Sequence, residues 1–334
     1  MNKRQIFAVV ASAMANSAFA QSSLTLFGSV DSSLAYVSAK QQKIIGLTSG
    51  ARAGSSLSIR GEEKLEGGYK LGFQLRSDVN TDTGGDKLKF GGRLNLSGSF
   101  GEFRIGKLYN LLSEIRDTFT VIGGSTHNMI SSTTVGSING SSPDNGPNGI
   151  SYRTPSLGGF YGRVSYTFGE QVGNDKLGSQ IIARAGYSRG PTHLTLGYGL
   201  VNAGTDAKGV SYRAFHLGIS HRIGSFQPIA LYVSERGNSK RMDLYSAGWR
   251  FWRGSNHFMM GYTFFHNKWQ DSNNSHRLAL GYAYSLSKRT DLYCTIAHVR
   301  NEKSASRKVA TGVGYTATAG LSSSGYEIGL SHKF

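Results

Sequence analysis

Residues 326–334 read YEIGLSHKF. Tyr326, Ile328, Leu330 and Phe334 are apolar, while Glu327, Ser331 and Lys333 between them are polar. Alternation of this kind specifies a β-strand with one oily face and one wet face. A last strand that ends on an aromatic side chain is expected to close something, by pairing with a strand near the N-terminus.

The same pattern recurs along most of the chain. Leu24, Leu26, Val30, Leu34 and Tyr36 alternate with Thr25, Ser29, Asp31 and Ser33. Leu194, Leu196, Tyr198 and Leu200 alternate with His193, Thr195, Gly197 and Gly199. Tyr245, Ala247, Trp249 and Phe251 do so with Ser246, Gly248 and Arg250. In 277–286 the apolar set is Leu278, Leu280, Tyr282, Tyr284 and Leu286. Such segments last roughly nine to thirteen residues, the length of a tilted membrane strand rather than a sandwich strand. The alternate face is small or basic, as in the wall of a wet lumen.

Tight turn sequences separate the strands: EGGYK, GSFGEF, PSLGGF, SRGPTH, RIGSFQ, WRGSNH and LSKRTD. They recur about 30–35 residues apart, one hairpin plus a longer loop on the other side. The interval from Gly98 to Pro155 is anomalous and holds one much longer loop. Seven short turns and eight long loops predict an all-β fold, a 16-stranded antiparallel transmembrane β-barrel. Residues 308–319 also alternate, and are assigned to the final long loop to keep the strand count even.

The N-terminus reads MNKRQIFAVVASAMANSAFA. Basic Lys3 and Arg4, an apolar run and an Ala18-Phe19-Ala20 ending predict a signal peptide over 1–20, cleaved before Gln21. The barrel domain is then 21–334. Cys294 is the one cysteine, so no internal disulfide forms, and it lies on an apolar face as packing material. Mean hydropathy is −0.29, which ordinarily suggests a soluble protein. Barrels escape that test, because lumen-facing polar residues dilute the lipid-facing apolar ones.

These stretches resemble the general porins of the Gram-negative outer membrane, particularly the betaproteobacterial type. The resemblance is carried by SSLTLFGSVDSSLAYV, SSLSIRGEEKLEGGYKLGFQL, GGRLNLSGSFGEFRIGKLYN, NGISYRTPSLGGFYGRVSYTFGE and GYEIGLSHKF, in that order. It implies a passive channel for small hydrophilic solutes and ions in the outer membrane. It also implies a homotrimer, among outer-membrane lipids and lipopolysaccharide, whose third loop folds into the lumen. Tyr326, Ile328, Leu330 and Phe334 resemble the signal read by the barrel assembly machinery.

Formal net charge is +17. Nucleic acid is the reflex partner for such a charge, but an exported barrel does not meet it routinely, so the basic residues are assigned to the lumen. Strand parity points Arg60, Arg76, Arg93, Arg104, Arg153, Arg163 and Arg184 inward. The resemblance places Arg93 and Arg153 in an arginine ladder at the pore constriction. Where related porins carry a further arginine, this chain has Ser56. Alternatively, an inward arginine merely pairs with a wall carboxylate such as Glu102 or Glu327. Loop three, about 108–148, brings Glu114 and Asp117 three apart, able to share a helical face. It then has no carboxylate until Asp144. A basic wall facing few loop acids favours anions.

Two other functions make different demands on the sequence. A lipid hydrolase barrel needs a Ser/His constellation, and the histidines are scattered. A substrate-specific channel for sugars, phosphate or organic anions is harder to separate. A sugar channel would show an aromatic slide, and Tyr161, Tyr232 and Phe265, read as inward, form no obvious track. No catalytic, cofactor or metal motif is present in the sequence.

Overall fold

The computed structural model describes residues 23–40, 42–84, 89–122, 145–174, 176–203, 210–237, 239–271, 273–309, 313 and 317–334. Seventeen strand segments form one antiparallel sheet that closes on itself. They are β1 (Ser23–Ala39), β2 (Gln42–Ser49), β3 (Ser56–Lys64), β4 (Lys70–Asp78), β5 (Gly91–Gly98), β6 (Gly101–Tyr109), β7 (Asn145–Arg153), β8 (Phe160–Thr167) and β9 (Gln180–Arg189). The circuit continues with β10 (Thr192–Ala203), β11 (Val210–His221), β12 (Phe226–Gly237), β13 (Lys240–Arg253), β14 (Asn256–Asn267), β15 (Ser275–Ser285), β16 (Thr290–Asn301) and β17 (Ser323–Lys333).

The count resolves to sixteen barrel strands, because β2 and β3 share one position. β1 pairs with β2 over residues 32–39 and with β3 over residues 23–29. Between those two segments, residues 50–55 leave the ladder. β1 meets β17 on its other edge, from Ser29 opposite Lys333 to Ala39 opposite Ser323. Phe334 extends the closure: its N–H donates to the Gly28 carbonyl, and the Gly28 N–H donates to its own, both at 3.1 Å. No edge is left open to hydrocarbon.

The outward face is apolar and exposed, the inverse of a soluble protein. Leu26 is 60% exposed, Ile105 57% and Ile328 54%. Lipid is the medium that makes such exposure favourable. Short turns close one end, as at Gly67 and Gly68, whose positive φ of 71° and 80° suits glycine. At the other end the connections vary more than the sequence suggested. Two of the eight, at 40–41 and 238–239, are two residues long. Among the described residues of 302–322 there is no strand; residues 310–312 and 314–316 of the segment assigned to the final loop lie outside the described residues. The leader expected over 1–20 lies outside the described residues.

Candidate functional site

Register sets the chemistry of the inner wall. Glu102, Arg153, Arg163 and Arg184 stand directly opposite one another along β6, β7, β8 and β9. Arg60, Gln74 and Arg93 form a second row along β3, β4 and β5. Like charges so opposed are destabilising unless something intervenes. Arg104 bonds Glu102 at 2.8 Å, and Arg76 bonds Asp78 at 3.1 Å. Among the described residues Arg93 bonds only the neutral Gln74 amide, at 2.5 Å, and Arg153 lies 5.4 Å from the Tyr161 ring centroid. Arg60 stacks over Phe27 at 5.2 Å.

The intervening acid comes from α1 (Leu111–Phe119), which follows β6. Asn110 caps it, its side-chain oxygen accepting from the Leu112 and Ser113 N–H groups. Leu111, Leu112, Ile115 and Phe119 recur at helical spacing and are almost wholly buried. They pack on the inner face of β9–β12. The wall is shaped for them: a Cβ on Gly218 would collide with the Phe119 ring, and one on Gly197 would press Ile115. From the opposite side of α1, Glu114 accepts from Arg163 at 2.9 and 3.0 Å and from Arg184 at 2.9 Å. Asp117 is held by Arg116 at 2.8 Å and by the Tyr109 hydroxyl. Arg250 of β13 reaches across to the Thr120 and Val121 carbonyls, at 2.6 and 3.0 Å, and pins the end of the helix.

A second inward element is the 50–55 excursion. Asp31 of β1, fully buried, accepts from the N–H groups of Ala51, Arg52 and Ala53 and from the Tyr293 hydroxyl. That carboxylate substitutes for the ladder bonds the excursion gives up. Arg52 projects toward β16 and bonds Asp291 at 3.3 Å. A lumenal cavity of about 620 Å³ is bordered by Arg76, Arg93, Arg104, Glu114, Asp117 and the excursion. A second, of about 430 Å³, is bordered by Arg52, Arg250, Asp291 and Lys333. Ala53 and Asp117 border both, so the excursion and α1 meet where the two cavities adjoin.

A third inward element follows β16. Ala305 is buried, and Val309 and Val313 are buried against inner-wall Ala35, Val37, Ala297 and Val299. Arg307 lies over the Phe265 ring at 3.6 Å.

A channel wall with this strand order invites comparison with known barrels. Residues 7–304 match the profile of the Gram-negative porin family. Outer membrane porin protein 32 of Delftia acidovorans is 30% identical over 99% of this chain and all of that protein. The chain belongs to the Gram-negative porin family. This porin is also similar to the solved anion-selective porin from Comamonas acidovorans, with 28% identity, a TM-score of 0.82, and coverage of 94% of this chain and 100% of that one. OmpT of Vibrio cholerae, solved in a trimer form, covers 94% of this chain and 99% of its own at 15% identity and a TM-score of 0.67, which speaks to fold alone. The protein is therefore an outer-membrane porin, a passive channel.

All seven arginines that parity pointed inward lie on the inner face of this porin. Arg76, Arg93, Arg104, Glu114 and Asp117 border one cavity, which includes neither Arg60 nor Arg153. The wall-pairing alternative is realised for Arg104 with Glu102, while Glu327 instead accepts from Ser33 and Thr48. Glu114 and Asp117 share a helix but have separate partners. Residues 123–144 of the expected loop three, Asp144 included, lie outside the described residues. Tyr161 and Phe265 face in. Tyr232 faces out, opposite outward Leu217 and Tyr245, because β12 places Ile229, Leu231 and Val233 on the inner parity. Sequence reasoning missed Arg52: the alternation breaks at Gly50, and no local pattern signals an inward turn.

Proposed function

We propose that this porin prefers anions to cations, and that its filter lies where the arginine wall faces α1. One observation carries the reading: both carboxylates of α1 are already engaged by arginines. Glu114 is shared between Arg163 and Arg184, and Asp117 is bonded to Arg116. Arg93 and Arg153 have no carboxylate within 4.0 Å among the described residues. Their charge therefore faces water. An arginine stays charged at any relevant pH. A unit charge about 5 Å from the ion path contributes ~0.8 kcal/mol in water, roughly a four-fold bias. Arg52, on the excursion, is paired with Asp291 and so adds little net charge to this wall. The anion-selective relative from Comamonas agrees in kind. Reversal potentials in planar bilayers under a KCl gradient should show chloride preference; a cation-selective wild type would overturn the proposal.

Export and assembly complete the reading. The leader over 1–20 is removed, three copies associate, and β17 with the following Phe334 is the segment read during insertion. Phe334→Lys should lower the assembled, heat-modifiable trimer on unheated gels and raise periplasmic degradation. Unchanged trimer levels would make Phe334 ordinary wall.

A further inference from the structure

The lumenal wall of β13 and β14 carries an apolar patch near the short turn that joins them, where lumen-facing positions are ordinarily polar. Register places Trp252 directly opposite His257 and Arg250 opposite Met259. All four border the cavity of about 430 Å³. Val121, just past α1, closes over the same wall, where Gly248 and Gly261 leave it room. Val121 and Met259 belong to the apolar cluster beneath α1, and Trp252 extends it toward the mouth. The half-buried indole is held in place. The Arg222 guanidinium lies over it at 4.8 Å, and the His257 ring meets it edge-on at 6.2 Å.

Charge around this patch is lopsided. Arg52 and Asp291 cancel one another across the cavity at 3.3 Å, and Asp117 is engaged by Arg116. Arg250 and Lys333 also border the cavity, and neither has a carboxylate within 4.0 Å among the described residues. Arg250 directs its Nε and one Nη to the Val121 and Thr120 carbonyls. Those bonds leave further N–H groups of the fork and the whole of its charge. An indole, a thioether and two uncompensated cations make a poor seat for a neutral sugar or a bare chloride ion. They suit a small flat anion with an apolar body.

We infer that this cavity is a binding subsite for aromatic carboxylates of about the size of benzoate. The carboxylate lies on Arg250 and Lys333, and the ring lies against Trp252 and Met259. Ring–ring and sulfur–ring contacts both favour an aromatic body over a saturated one, and the volume is that of a small-molecule pocket. β13 stands half-way round the circuit from β5, which carries Arg93. The subsite is therefore separate from the filter, and an anion lodged in it obstructs the passage beside α1.

The test is single-channel recording of the assembled porin in KCl, with probe acids added as potassium salts at neutral pH. Benzoate should reduce the chloride current saturably, with half-block on the order of millimolar. Cyclohexanecarboxylate, alike in charge and size but not flat, should need roughly three- to ten-fold more. Benzyl alcohol, which has the ring without the charge, should give no saturable block. Trp252→Leu should abolish the preference for benzoate over cyclohexanecarboxylate, and Trp252→Phe should keep it. Lys333→Gln should weaken block by both acids roughly two- to four-fold. Trp249→Leu, on the lipid face of the same strand, should be blocked as wild type is. Equal block of wild type by the two acids overturns the inference without reference to any variant, as does equal block by benzyl alcohol. So does a benzoate preference that survives in Trp252→Leu. Reversal potentials in the same bilayers read the filter separately: a cation-selective wild type sinks the filter beside α1, while benzoate block decides the subsite on its own.

Discussion

The two halves of the inner wall obey the same alternation and meet different surroundings. From β3 to β9 the inward positions include Arg60, Arg76, Arg93, Arg104, Arg153, Arg163 and Arg184, and most of them border open lumen. From β10 to β16 they include Gly197, Ala214, Gly218, Leu231, Val233, Leu244 and Val299, covered by α1 and by the segment after β16. Parity decides which way a side chain points. What it meets there is decided by segments that fold inward from elsewhere in the chain. A water-filled barrel can therefore hold a dry apolar seat on one side and a solvated cationic strip on the other.

The most drastic way to break that contrast is to wet the dry half. Phe119→Asp puts a carboxylate into the seat against β11, where burying an unpaired charge costs several kcal/mol. α1 should leave the wall, with a large rise in single-channel conductance and entry of bulkier sugars in liposome swelling. Unchanged conductance would mean that the seat does not hold the helix in place.

A smaller effect separates free from engaged cations on the basic half. Arg93→Ser with Arg153→Ser should shift the reversal potential toward cations, by roughly four-fold in permeability ratio per charge removed. Arg163→Ser with Arg184→Ser frees the Glu114 carboxylate and should also move selectivity, but is expected to destabilise α1 and make the conductance heterogeneous. If the first pair leaves selectivity intact, the filter lies elsewhere.

The smallest shift is expected from Arg60→Ser. Its side chain is exposed and stacked on Phe27, away from the cavity beside α1. Screening over about 8–10 Å at physiological salt limits its reach. Its effect should vanish first as salt rises toward 1 M, and a shift as large as that of Arg93 would move the filter toward β3.

The barrel was legible because each membrane strand carries its own two-residue period, and because turns concentrate Gly and Ser. Even closure could be read, since Tyr326, Ile328 and Leu330 repeat the pattern facing Leu34 and Tyr36. The site was only half legible. Arg93 and Arg153 follow from parity, but Arg52 depends on Asp31, twenty-one positions away, capping an excursion that no local period marks. The outward turn of Tyr232 was hidden for a related reason. In FQPIALYV both parities are apolar, so β12 gives no internal sign of which face is the lumen; its partners β11 and β13 decide.

The helix inside this channel is clamped at three places. Asn110 is tied to Gln180 at 3.1 Å, Glu114 to Arg163 and Arg184, and the carbonyls past Phe119 to Arg250. A beam fixed at both ends and at its middle has no low-frequency bending mode comparable to that of a flap hinged at one end. The width of the passage beside α1 is then steady over the time an ion takes to cross. Electrical noise from that stretch would record the random arrival of ions rather than the breathing of the protein.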